Sequence, residues 1–405
     1  MSAIASYRAL LRIVGPAYIV VAFLGRIPLA MSQIGTLILV STATDSYGLG
    51  GGAAGVLAVA NAIGSPLAGA LADRIGQRPV VLVQSIAGAL GLAGIVIVTS
   101  DRFGSMPAIL TMAAITGFAI PQVGPLARVR WRPITSEEED QRRLVDAAFS
   151  YEGSADEASF VLGPALIGVL AILAEPAGAM LVAAVLLGVF GTWFALHPTS
   201  DLVARQTTHG GGGAGAMWTI AFFVLVIAQF SIGVIFGSLQ TGSTVLAESE
   251  GQAGLVGLIH ATLGIGSVIA GLAITALPER ILYATRMLVA ALALLVLSAP
   301  LLLVDSIASL VGVIALLGFA VAPYMISNFA LAGILVPLHR VGTAMTLLAG
   351  ATGIGYAAGA SIAGRLADDH GHTAAFAVTI SAAGLAVLLA VTANRALRNA
   401  IPVNV

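Results

Sequence analysis

Arg26, Glu152, Asp156, Glu157 and His260 are ionisable residues placed inside long apolar runs of the chain. At the centre of a membrane helix each charge costs about 2.5–3.5 kcal/mol, so the first four total roughly 10–14 kcal/mol. Packing alone would hardly offset that, and intramembrane ionisable residues are functional-site candidates for this reason. Glu152 and Asp156 are four residues apart and share one helix face. Glu157 points about 100° away from them. Arg26 lies on a run of the same direction, at a depth similar to Asp156, and can pair with Asp156 or Glu152 but not readily with all three acids. Two carboxylates about 6 Å apart repel by about 3 kcal/mol at an effective dielectric of about 20, so the group is expected to hold a proton. A carboxyl poised beside an arginine that a solute could compete for suits proton coupling or solute binding. The same residues would also make a buried ion pair that only locks two helices together. His260 titrates near neutral pH; it either relays protons to the acids or hydrogen-bonds to a backbone carbonyl.

The elements that hold these residues are membrane helices. The chain of 405 residues is 58% hydrophobic and 9% charged, against about 25% charged in an ordinary soluble chain, and its mean hydropathy is +1.01. Apolar runs long enough to cross about 30 Å of hydrocarbon fall near 15–40, 53–73, 79–99, 107–127, 144–172, 177–196, 218–246, 254–277, 282–304, 306–334, 343–366 and 373–393. Twelve spans are therefore expected in an all-α membrane protein, with the lipid bilayer as its surroundings. All 18 basic residues are arginine, and cysteine is absent. That excludes a P-loop, a Schiff base, a disulfide and a cysteine-ligated metal site. No zinc-protease pattern and no Ser/His/Asp arrangement points to an enzyme, and no cofactor is implied. A net charge of −1 gives no reason to expect a nucleic-acid partner.

Arginine placement sets the orientation. With the N-terminus in the cytoplasm, Arg8, Arg12, Arg74, Arg78, Arg128, Arg130, Arg132, Arg142, Arg143, Arg205, Arg280, Arg286, Arg340, Arg395 and Arg398 fall inside, and only Arg102 and Arg365 outside. Both termini are expected in the cytoplasm by the positive-inside rule.

The chain also repeats itself at an offset of about 200 residues. Gly55, Gly64, Ser65 and Gly69 match Gly257, Gly266, Ser267 and Gly271, and Gly117-Phe118-Ala119-Ile120-Pro121 is echoed by Gly318 to Pro323. The expected organisation is a six-helix bundle over 1–196, a glycine-rich cytoplasmic linker over 197–216 and a second six-helix bundle over 217–405. Ser32, Gln33, Asn61, Gln122, Gln229, Gln240, Tyr324 and Asn328 are polar residues inside spans. They either line a solute cavity or satisfy helix contacts in the bilayer. Pro28, Pro121, Pro125 and Pro323 are expected to kink their spans. Ser136 followed by Glu137, Glu138 and Glu139 reads as a capping box that starts a helix.

The turn Gly69-Ala-Leu-Ala-Asp-Arg-Ile-Gly-Gln-Arg-Pro79 resembles the loop signature of the major facilitator superfamily, G-x-L-a-D-r-x-G-r-[RK], with Gln77 in place of one basic residue. The resemblance covers the whole chain. Ser159-x3-Gly163-Pro164-x3-Gly168 is similar to an element of proton-driven exporters, with Ser159 and Ile167 where that element has glycine. Gly364 to Gly371 looks like the outer end of the family's eleventh span, and the run 156–164 resembles actinobacterial members. The resemblance implies a proton-coupled transporter that works by alternating access, in a bacterial inner membrane, as a monomer, with a small-molecule substrate and protons as partners. It implies that Asp73 gates the cytoplasmic side with Arg74 and Arg78 nearby, that the spans of the polar set line the cavity, and that spans 5 and 8 face each other and bring His260 towards the acids. Two features depart from the family. The second copy of the turn has Thr275 opposite Asp73, and the arginine that drug–proton antiporters carry within span 4 is absent, since Arg128 falls at the end of that span. Export of a small amphipathic or drug-like compound leads. Uptake of a small polar or anionic nutrient bound by Arg26 is the alternative, and a sensor or scaffold that does not transport is a third.

Overall fold

The computed structural model describes residues 2–100, 105–203, 217–252, 255–278 and 280–399, and they contain no strand. The helices are α1 (Ala3–Thr44), α2 (Tyr47–Ile75), α3 (Gln77–Thr99), α4 (Met106–Ala119), α5 (Val123–Ile134), α6 (Gln141–Leu186), α7 (Thr192–Leu196), α8 (Ile220–Ser249), α9 (Val256–Ala273), α10 (Tyr283–Ser298), α11 (Ile307–Leu335) and α12 (Val341–Asn399). A π-helical turn, Leu187–Gly191, joins α6 to α7. Most of the expected linker, with Arg205, lies outside the described residues, as does Arg102.

Ten helical stretches among the described residues are long and apolar enough to cross a membrane. Two of them, Gln141–Leu196 and Leu338–Arg398, run to 56 and 61 residues, whereas about 20 residues cross the hydrocarbon once. Each is interrupted by backbone in the left-handed region: Glu175 at φ 59° after a non-helical Ala174, and Gly371 at φ 71°.

Proline does not act everywhere as the sequence suggests. Pro121 coincides with a full break, since α4 ends at Ala119 and α5 begins at Val123. Pro28 and Pro323 are accommodated inside continuous helices, and the break in α1 falls at Gly15, φ 75°. The capping box at Ser136 does not form. The Ser136 hydroxyl donates to the Pro133 carbonyl, and α6 starts only after Asp140, because residues 135–140 close a chain of turns off the end of α5.

Apolar packing divides along the sequence. One large cluster takes nearly all its members from 217–397, joined by Val129, Phe149 and Val203, and the others up to residue 195 are built from α1–α7. The two sets meet along α2/α12 and α6/α9, and the approach is made by glycine. A Cβ at Gly69 would strike the Thr346 hydroxyl and lie 2.8 Å from the Gly342 carbonyl oxygen. One at Gly264 would strike Val161, and one at Gly271 the Ser154 hydroxyl. Small residues allow this backbone proximity in membrane helices.

Candidate functional site

Arg26 on α1 reaches across to α6. Its Nη2 donates to Glu152 Oε2 at 2.5 Å and its Nη1 to Asp156 Oδ1 at 3.0 Å and the Glu152 carbonyl at 3.3 Å, while Nε donates to the Ala22 carbonyl at 3.0 Å. α1 and α6 come this close because Gly163, about two turns beyond Asp156, packs on Ala30, where a Cβ would stand 2.6 Å from the Ala30 methyl. The second Glu152 oxygen accepts from Trp131 Nε1 at 2.7 Å, and Tyr18 packs edge-on against that indole with centroids 5.5 Å apart.

Asp156 is held by a second arginine. Arg128 Nη1 on α5 donates to Asp156 Oδ2 at 2.6 Å. Its guanidinium lies over the Phe329 ring of α11, 4.3 Å from the centroid, and its Nε has no hydrogen-bond partner although the residue is 2% exposed. Sequence reasoning placed Arg128 at the end of span 4 and expected Glu152 and Asp156 to share a proton over one arginine. The break at Pro121 restarts the helix as α5 and turns Arg128 and Trp131 into the interior, so the two carboxylates face two guanidinium groups and are balanced. Arg130 was missed as well. It is fully buried, donating to Gln77 Oε1, the Phe194 carbonyl and the Thr199 hydroxyl, and it lies 3.6 Å from the Phe194 centroid. The available signal was the Pro121 and Gly124-Pro125 pair ahead of an Arg-x-Arg-Trp run.

Glu157 lies within electrostatic reach of Asp156 and Arg128 but is not bonded to either. It is 7% exposed and makes no ion pair among the described residues. It lies at the α6/α9 contact, where a Cβ at Gly264 would be 4.0 Å from its carbonyl oxygen, and the Ser154 hydroxyl donates to the Val268 carbonyl at 3.3 Å. The structure does not bring His260 to the acids. The α6/α9 register puts it about two turns from the level of Glu157, roughly 12 Å at 1.5 Å per residue, with its Nε2 buried and without a hydrogen-bond partner.

The described contacts between the two sets of helices gather towards one end, the arginine-rich one. Asp73 of α2 accepts from the Gly342 N–H at 2.9 Å, the Thr343 N–H at 2.7 Å and the Thr343 hydroxyl at 2.6 Å. It thus satisfies the free N–H groups at the start of α12 and places a negative charge at its positive end. Arg78 pairs with Asp201 at 3.6 Å, half-exposed on both sides, and Arg74 is exposed. Arg286 of α10 meets Asp146 of α6 at 3.3 Å, and the Tyr7 hydroxyl contacts the Thr275 hydroxyl at 2.7 Å and the Leu272 carbonyl at 2.9 Å. Just past α7, the His197 imidazole is held below its ordinary value by burial and then by nearby Arg130.

The polar residues expected to line a cavity are mostly used inside helix contacts. Asn61 donates to the Gly117 and Ile120 carbonyls freed by the α4/α5 break, and its oxygen accepts from Gln122 at 2.6 Å. Asn328 donates to Gln229 at 2.7 Å, and the Tyr324 hydroxyl donates to the Ala228 carbonyl. The Ser32 hydroxyl is taken by its own helix. Gln33 and Gln240 remain half-buried, and Gln240 accepts from Tyr356 at 2.7 Å.

A sequence profile described as Major Facilitator Superfamily matches residues 17–348. Solved structures share the fold. The human organic anion transporter MFSD10 has a TM-score of 0.71 at 21% identity, covering 94% of this chain and 98% of its own. A bacterial homologue of the iron transporter ferroportin, in an outward-facing state with soaked iron, has 0.70 at 15% identity, covering 93% and 98%. The Escherichia coli fucose:proton symporter has 0.65 at 14% identity, covering 93% and 97%. No curated protein sequence matches the chain.

Proposed function

On the premise that this chain belongs to the Major Facilitator Superfamily, and so is a membrane transporter and not an enzyme, we propose that it moves a small solute together with protons held on the acids of α6. Counting the two interrupted helices twice gives twelve spans, in two six-helix halves over 1–196 and 217–405 joined by the linker. The arginine-rich end is the cytoplasmic face of a bacterial inner membrane. Its closure by Asp73, Asp146 and Tyr7, and the likeness to an outward-facing structure, support a state open to the outside.

The observation that carries the proposal is Glu157, a buried carboxylate with no ion pair among the described residues, in a contact that must separate when the other side opens. A lone carboxylate in such a place is tolerated when it takes up a proton. Arg26 and Arg128 balance Glu152 and Asp156, so one proton on Glu157 makes the closed site neutral. When the cytoplasmic contact opens, water reaches Glu157 and the proton leaves. Protonation thereby changes the relative stability of the two states, as alternating access requires. His260 acts farther out, as a relay between the outer side and the α6/α9 contact.

Charge balance favours uptake. Any anion that joins the neutral site must bring a second proton, so a small polar or anionic solute and protons travel the same way. Export of an amphipathic or drug-like compound is the second reading, supported by the Ser159–Gly168 element at the α1/α6 contact. In proteoliposomes, an inward pH gradient accumulates the solute inside if uptake holds and drives it out if export holds. A flux indifferent to pH, and unchanged in Glu157→Gln, contradicts both; no flux of proton or solute leaves the sensor or scaffold reading.

A further inference from the structure

We infer that Arg128 and Phe329 form the recognition site for the acid group of an amphipathic, ring-bearing anion, and that Asp156 occupies the place this acid group takes. The inference rests on the proton-coupled reading and names its solute.

Four observations meet at Arg128. Among the described residues Asp156 is the one carboxylate it bonds, whereas Arg26 holds both Glu152 and Asp156. Its Nε is a buried donor without an acceptor, an unsatisfied group of a kind native structures rarely keep without reason. The guanidinium lies over the Phe329 ring, 4.3 Å from its centroid, which puts an aromatic ring beside a bound acid, a setting in which arginine binds carboxylates through its planar fork. Arg128 also lines a small cavity of about 20 Å³ with Arg132, Phe149, Gly333 and Val341, so the site borders a space between the two halves. Phe329 comes from α11 and Arg128 from α5, so a solute bound here touches both halves at once.

The exchange balances. An incoming carboxylate takes the Arg128 Nη1 donor, and Asp156 gives up its 2.6 Å bond to Arg128. Asp156 then shares Arg26 with Glu152, one negative charge too many for a dry site, and binds one proton. One anion and one proton enter together and the net charge of the site stays unchanged. A cationic solute finds no place at Arg128, whose own charge repels it.

Three probes with one body and different heads test this: phenylbutyrate, phenylbutylamine and phenylbutanol, each added to the purified full chain while its melting temperature is followed. A ligand that binds the folded state raises that temperature by mass action. Phenylbutyrate is expected to stabilise the wild type more in mildly acidic than in mildly alkaline buffer, and the amine not at all. Asp156→Asn frees Arg128 in advance, so phenylbutyrate should then stabilise equally in both buffers. Arg128→Gln should weaken phenylbutyrate binding by about tenfold or more. Phe329→Leu, which leaves every charge in place, should weaken it less and bring phenylbutyrate closer to unbranched fatty acids of the same length. Stabilisation by the amine alone, or phenylbutyrate binding unchanged in both Arg128→Gln and Phe329→Leu, overturns the inference. These outcomes are separate from the fate of the coupling reading. If phenylbutyrate binds as expected but its flux ignores pH, the site stands and proton coupling falls.

Discussion

At the scale of single residues, the deciding quantity is how many cations each buried carboxylate has. Glu152 and Asp156 share Arg26, Asp156 also has Arg128, and Glu157 makes no ion pair among the described residues. Removing one partner of a buried pair is far more damaging than the pair's net worth, because the remaining charge stays buried. Arg26→Ala should therefore destabilise the folded chain by about 3–5 kcal/mol, read as a large drop in melting temperature. The double variant Arg26→Ala, Glu152→Gln should recover part of that loss, and equal drops in both variants would refute the pairing. His197 gives a pH-dependent counterpart outside the spans. Its folded value lies below its ordinary value of 6.5, so the unfolded chain binds the proton more readily. Its contribution is therefore constant above that pH, and stability falls as the pH drops below it. His197→Gln should flatten this part of the stability profile, and an unchanged slope would show that other groups set it.

Helices and their breaks decide which residues meet, and here sequence and structure agree unevenly. The long apolar runs, the α6 acids on one face and the Asp73 turn were legible, because insertion energetics and 3.6-residue periodicity act locally. Arg128 was not. Its place depends on a helix that stops at Ala119, ahead of Pro121, and restarts at Val123, and hydropathy places an arginine in that position at the membrane edge. The same break explains Asn61 and Gln122, which look like cavity residues in sequence: Asn61 satisfies the carbonyls it frees, and Gln122 donates to the Asn61 oxygen. His260, on the outer part of its span as expected, falls about two turns short of Glu157, because a span-to-span pairing does not fix register. The α2/α12 contact carries its own prediction. Asp73→Asn removes the charge at the start of α12, worth about 0.3–2 kcal/mol, and should shift the equilibrium several-fold towards an open arginine-rich end. Gly69→Val should shift it further, since the Gly342 carbonyl would stand 2.8 Å from its Cβ. Cross-linking between cysteines placed on α2 and α12 measures both, and undiminished cross-linking in Gly69→Val would contradict the close approach.

For the whole molecule, closure of one end rests on contacts of different kinds. On one side an acid satisfies the start of a helix. On the other, where the repeat has lost its acid, Thr275 is met by Tyr7, and Arg286 pairs with Asp146. Between them lies the α6/α9 contact with Glu157 inside it. The central claim is that a proton on Glu157 keeps this end shut. The chain has no cysteine of its own, so spin labels can be attached at I75C and L338C, both more than half exposed and on opposite sides of the α2/α12 contact. The first measurement is the distance distribution between them in lipid as pH is raised. The account predicts a short distance in acid, a growing long-distance population in alkali, and a short distance at every pH in Glu157→Gln. A distribution that ignores pH in the wild type, or that changes in the same way in Glu157→Gln, would contradict it.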